Sequence, residues 1–141
     1  MKTESELKAY AIAKEKMFDH DAFSQWLGIE IISLDAGYAK LQMQVRQEMT
    51  QGFGLAHGGI TYSLADSALA FASNGHGRKS LSVETSISHL VAVQAHDILI
   101  AEAIEENLSN KFGIYRIHIV NQEGKKVALF KGTVFRTSSE W

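Results

Sequence analysis

The chain has 141 residues, 45% of them hydrophobic and 21% charged, with a formal net charge of −2. That composition excludes a disordered polymer, and the near-neutral balance gives no electrostatic footprint for nucleic acid or an anionic membrane. Cysteine is absent, which removes disulfides, thiolate metal sites and thiol nucleophiles and accords with a cytoplasmic location.

A single domain over 1–141 is expected, with an N-terminal helical segment over 1–27 and a core over 28–141. Residues 4–18 carry Leu7, Tyr10, Ala11, Lys14 and Phe18 near helical spacing, predicting one amphipathic helix. "FSQWLG" predicts a second helical piece ending at Gly28. This N-terminus interleaves charges with apolar residues, unlike a secretory signal. No apolar run approaches the roughly 20 residues that span a bilayer.

Beyond Gly28 the period changes to two. "GIEIISLDAGYAKLQMQV" predicts a short strand, a turn at Asp35 to Gly37, and a second strand. In the second, Ala39, Leu41, Met43 and Val45 face one way and Lys40, Gln42 and Gln44 the other. Residues 57–74 predict a helix that is apolar on nearly every side. Ile60, Leu64, Ser67 and Phe71 form one stripe, with Tyr62, Leu69, Ala70 and Asp66 opposite. Such a helix is enclosed rather than laid on a surface.

The remainder reads as four strands, over 80–91, 97–106, 112–121 and 126–136. In the first, Leu81, Val83, Thr85, Ile87, His89 and Val91 alternate against Ser82, Glu84, Ser86 and Ser88. The connections "NLSNK" and "NQEG" are too short for parallel crossovers, so the strands are antiparallel neighbours. The fold class is α+β, an antiparallel sheet of about six strands wrapped around one long helix.

Asp66 is the only formally charged side chain between Met49 and Gly77. Burying a carboxylate without a partner is costly. It is therefore satisfied by backbone or hydroxyl donors, on a wet side of the helix, or catalytic. Ahead of it, "AHGG" begins the helix, where unpaired N–H groups suit an anion or developing oxyanion. Gly58 and Gly59 either admit a substrate carbonyl to the backbone or let the helix pack closely on the sheet.

A dinucleotide-binding reading of Gly52, Gly54, Gly58 and Gly59 fails because the surrounding pattern is an antiparallel meander rather than a βαβ unit. The six histidines show no metal-binding spacing, so no metal or cofactor is expected, and His89 and His118 read as packed or surface residues. What remains is a lone carboxylate near an oxyanion site, the two groups that thioester hydrolysis needs. They lie roughly 12 to 14 Å apart along one helix axis, too far for one reacting carbon. If both act, they come from two copies of the helix, and the site sits at a dimer interface.

The stretch "GFGLAHGGITYSLADSALAFASN" within this helix-and-sheet outline closely resembles the PaaI-type thioesterases of the hotdog-fold superfamily. The resemblance runs from "WLGIEI" to "VALFKGTVFRT". It implies acyl-CoA hydrolysis, a hotdog fold and a homodimer, commonly doubled to a tetramer. It also implies that Asp66 is the catalytic base or nucleophile and that Gly59 is the oxyanion donor, shaped by His57 and Gly58. Ser82 falls where a hydroxyl orients water or the carboxylate.

Gln51 stands where many members carry Asn, and would position the thioester together with His57. The segment "LVAVQAHD", Leu90 to Asp97, lacks the family's usual arginine and two prolines. Val91 takes the arginine's place, which leaves Lys111, Arg78 and Lys79 as candidates for the CoA phosphates. Tyr62, Leu69, Phe53 and Met49 are the candidate acyl-pocket residues. Two rival readings on the same fold are an acyl-thioester hydratase or dehydratase using His57 with Asp66, and a non-catalytic acyl-CoA-binding protein.

Overall fold

The alternation in "YAKLQMQV" becomes strand β2 (Tyr38–Gln44) in the computed structural model, which describes residues 1–141. Ala39, Leu41, Met43 and the following Val45 are all buried. β2 pairs antiparallel with β1 (Glu30–Asp35) across a turn in which Gly37 takes a φ of +75°. That left-handed conformation is open to glycine because it has no Cβ.

Strands β3 (Arg78–His89), β4 (Ile98–Leu108), β5 (Phe112–Val120) and β6 (Lys126–Glu140) complete the sheet. The order is β1-β2-β4-β5-β6-β3, and every neighbouring pair is antiparallel. All six expected strands are present. β3 starts and ends two residues earlier than its expected span of 80–91, and β6 runs on to Glu140.

Helix α3 (Gly58–Asn74) connects β2 to β3 and packs against β2, β4, β5, β6 and β3. Leu64, Ala65, Ala68, Leu69, Phe71 and Ala72 are buried there. The approach is closest at Gly132 of β6, where a Cβ would lie 2.5 Å from Leu69 Cδ2. A side chain at 132 would require Leu69 to shift in its packing against the sheet. Phe71 fills the centre and meets Phe18 edge-on at 6.2 Å between ring centroids. Phe71→Ala is expected to cost about 3–5 kcal/mol, through lost burial and the cavity left behind, read as a shift in the denaturant midpoint. No helix is long and apolar enough to cross a membrane.

The N-terminal segment departs from one uniform helix. Helix α1 (Glu4–Tyr10), capped by Thr3 and Glu6, passes into a π-helical stretch over Ala11–Met17 and a 3-10 turn over Phe18–His20. Its buried face is Ala9, Ile12 and Ala13, while Leu7, expected on that face, is 58% exposed. At Ala9 the approach to α3 is close: a Cβ at Gly75 would stand 3.3 Å from the Ala9 Cβ, so a small residue is needed at that point. Helix α2 (Ala22–Leu27) is capped by Asp21 and stops at Gly28, whose φ is +75°. A hydrogen bond of 2.8 Å between the Ser24 and Ser67 hydroxyls ties it to α3.

Strand β3 lies at one edge of the sheet, and its alternation is broken. Ser82 pairs with Val134 but Glu84 pairs with Thr133, which leaves Val83 as an extra residue in a bulge. On one side of the bulge Ser80 and Ser82 turn toward α3. On the other, Thr85, Ile87 and His89 do, opposite Gly132, Phe130 and Ala128. The expected continuous face from Leu81 to Val91 is therefore corrected: Leu81 is 67% and Val83 58% exposed on the outer side.

Candidate active site

Asp66 lies midway along α3 because the helix buries its aliphatic and alanine positions against the sheet and leaves this side toward β3 open. The carboxylate is half-buried and has neither a hydrogen bond nor an ion pair within the chain. Burial, with no compensating charge, pushes its carboxyl above the usual carboxylate range. It opens into a cleft of about 330 Å³ between α3, β3 and β6, where Leu69, Ala70 and Val134 supply apolar walls and Ser82 a hydroxyl. The one cation of the cleft, Lys79, stands 5.0 Å from the centre of the Trp141 ring.

At the head of α3, His57 is the N-cap residue, with extended backbone at φ −62° and ψ 136°. Its Nδ1 accepts a hydrogen bond of 2.9 Å from the Gly59 N–H. The neighbouring Gly58 N–H makes no hydrogen bond within the chain. It lies in a second cleft with Gln51, Thr61, His89 and Val91. A Cβ at Gly58 would come within 3.2 Å of His89 Nε2, so the glycine keeps this approach to the backbone clear. His57 and Gly59 face a third cleft, lined also by Trp26 and Ser63.

The expected site residues thus fall into separate groups within one chain. Asp66, Ser82 and Leu69 share the first cleft, Gln51 and Gly58 the second, His57 and Gly59 the third. Gly58 and Asp66 are roughly 12 Å apart along the helix. Tyr62 packs edge-on against Phe130 at 5.2 Å, and its hydroxyl bonds to Thr85; it is partly buried against the core and does not line the Asp66 cleft. Phe53 is 90% exposed on the turn before the helix, and Met49 is buried in the core. Arg78 and Lys79 stand at the opposite end of β3 from His89, while Val91 lines the Gly58 cleft.

The sequence model of the thioesterase superfamily matches residues 53–128. The chain is 41% identical over 120 residues to the acyl-coenzyme A thioesterase PaaI of Escherichia coli, covering 85% of this chain and 86% of that protein. The chain belongs to the thioesterase superfamily. The solved structure of the E. coli PaaI protein superposes with a TM-score of 0.94 at 38% identity, over 97% of this chain and 99% of that one. A 1,4-dihydroxy-2-naphthoyl-CoA hydrolase of Listeria monocytogenes is 27% identical over 115 residues, 77% of this chain and 89% of that protein.

The PaaI-type resemblance is thereby borne out, and the six-stranded sheet with its central helix is the hotdog fold of this superfamily. Sequence reasoning missed the free Gly58 amide, because a run of two glycines does not say which N–H the capping histidine takes. It also missed Asn74 and Trp141 at the far end of the Asp66 cleft, where Lys79, a candidate for the CoA phosphates, also stands. Asn74 sits at the end of α3 like many helix-terminal residues, and only the fold shows what it faces.

Asp66 has a consequence for stability. Its carboxyl range is raised by folding, so as pH climbs the unfolded chain gives up this proton first, and folding loses free energy through that window. Asp66→Asn is therefore expected to raise the thermal midpoint at neutral pH. The gain should vanish as pH falls below the ordinary carboxylate range, which a pair of melting curves against pH would check.

Proposed function

We propose that the protein hydrolyses acyl-CoA thioesters to the free acid and CoA, at a site completed by two copies of the chain. The E. coli relative is an acyl-coenzyme A thioesterase, and the residues here suit that chemistry. The observation that carries the reading is a half-buried, unpartnered Asp66 roughly 12 Å from an unbonded amide on the same helix.

In the proposed reaction Asp66 takes a proton from water held near Ser82, and the resulting hydroxide adds to the thioester carbonyl carbon. The oxyanion is held by an amide at the head of the other copy's α3. Of the two glycines, Gly58 is favoured over Gly59, because the Gly59 N–H is already bonded to His57. The intermediate collapses with cleavage of the C–S bond, and CoA leaves as the thiolate. Gln51 and His57 orient the thioester.

Asp66 acting as a nucleophile would instead form a mixed anhydride that water then opens. A single turnover in ¹⁸O-labelled water tests for this route: an unlabelled first product acid shows that water opened the anhydride at the Asp66 carbonyl, whereas attack of water on the acyl carbon labels the acid. The chemistry calls for no cofactor. Copies are proposed to join along the unpaired outer edge of β3, where Leu81 and Val83 are exposed, and the pairs to double into a tetramer.

Thiol release from a panel of acyl-CoAs, measured beside sedimentation of the same sample, tests the proposal. Stoichiometric acid and CoA from a dimer or larger assembly is the expected result. A strictly monomeric chain with full activity would exclude the shared site, and conversion of the acyl chain without CoA release would favour the hydratase reading.

A further inference from the structure

From Asp66 the cleft runs along α3 to Ser73 and Asn74, a distance of roughly 12 Å at the rise of an α-helix. Its far end carries the indole of Trp141, and that ring is fixed in place. The Trp141 Nε1–H donates to Asn74 Oδ1 at 2.9 Å, and its backbone N–H donates to the Gly77 carbonyl at 3.0 Å.

Asn74 is itself only 2% exposed and fully engaged. Its Nδ2 donates to the Ala70 and Ser80 carbonyls at 2.8 and 3.1 Å, and its Oδ1 also accepts from the Ser80 N–H at 2.9 Å. The polar edge of the indole is thus consumed by a buried amide, leaving its carbon surface to the cleft.

We infer that Trp141 is the specificity-determining wall for the acyl group. The inference rests on the reading of Asp66 as the group beside the reacting carbonyl. With the carbonyl there, the acyl chain meets the apolar sides formed by Leu69, Ala70 and Val134, and follows them to the indole. The substrate class is a straight acyl group of medium length, or an aryl-substituted one, that ends against Trp141. Long acyl chains are refused because Asn74 prevents the ring from swinging aside.

Two variants and one binding measurement test this. In Trp141→Ala the ratio of kcat/KM for dodecanoyl-CoA to that for hexanoyl-CoA should rise about tenfold or more. The change should come through KM of the longer ester, with Trp141→Phe showing a smaller rise. An unchanged ratio in both variants overturns the inference.

The chain has two tryptophans, so Trp26→Phe leaves Trp141 as the sole indole. Its emission should shift when a non-hydrolysable octyl thioether of CoA is added, and not with the methyl thioether. No shift with either, at concentrations where the octyl compound binds, also overturns it. Should the parent chain release no CoA from any ester, the hydrolase reading fails, and the emission measurement still decides the wall. It decides likewise if Trp141→Ala does not fold.

Discussion

Asp66→Asn is expected to release CoA from acyl thioesters about a hundredfold to ten-thousandfold more slowly than the parent chain, the range set by losing a positioned general base. The amide is nearly the same size as the carboxylate and removes only the negative charge and the proton acceptor. KM should therefore change little while kcat collapses. The acid limb of the kcat/KM profile should disappear with it. In the parent that limb is displaced above the ordinary carboxylate range, since burial raises the Asp66 carboxyl. A variant that keeps the parent rate within a factor of about two would remove Asp66 from the chemistry.

Gly58→Pro should be nearly as damaging, for a different reason. Position 58 is the first residue of α3, where proline is tolerated because the lost N–H has no partner in the helix. The preceding His57 already has the extended backbone that a following proline demands. The helix should therefore form normally, with a thermal midpoint close to the parent's, although His89 must yield a few tenths of an ångström.

What the substitution removes is the one unbonded amide at the helix head, and loss of a single oxyanion donor typically lowers kcat about a hundredfold to a thousandfold. Mixing the two inactive proteins under conditions that exchange subunits gives a further reading. If Asp66 and Gly58 act from different copies, some mixed dimers regain one intact site, and activity reappears. If both act within one copy, the mixture stays inactive.

Much of this arrangement was legible in the sequence because local pattern and tertiary demand agree. In β2, Ala39, Leu41, Met43 and Val45 alternate and are buried as read. The α3 helix begins at "HGG" and ends at Asn74 as read, and its lone Asp66 led directly to the cleft. The failures occur where a neighbour rather than the local pattern decides. Leu7 belongs to the more conspicuous stripe of α1, yet the face that is buried carries Ala9, Ile12 and Ala13, with Ala9 close against Gly75.

β3 alternates without interruption in sequence, and no residue type in it announces the extra position at Val83. The choice between Gly58 and Gly59 rests on which amide the His57 ring reaches, a matter of one side-chain orientation. Tyr62 shares a helix side with Asp66 in the sequence pattern, but its contacts with Thr85 and Phe130 turn it away from the Asp66 cleft.

The irregularity at Val83 divides one ribbon into two reading frames. Up to Ser82 the even-numbered positions look inward, and from Thr85 onward the odd ones do. A chain of the same length that kept Val83 but paired regularly with β6 would exchange the two sides of the segment before it. Leu81 would then plug the acidic crevice while the Ser82 hydroxyl went to the outer rim. One unmatched peptide unit therefore lets the same strand serve the hydrophobic interior at one end and a wet, reactive hollow at the other.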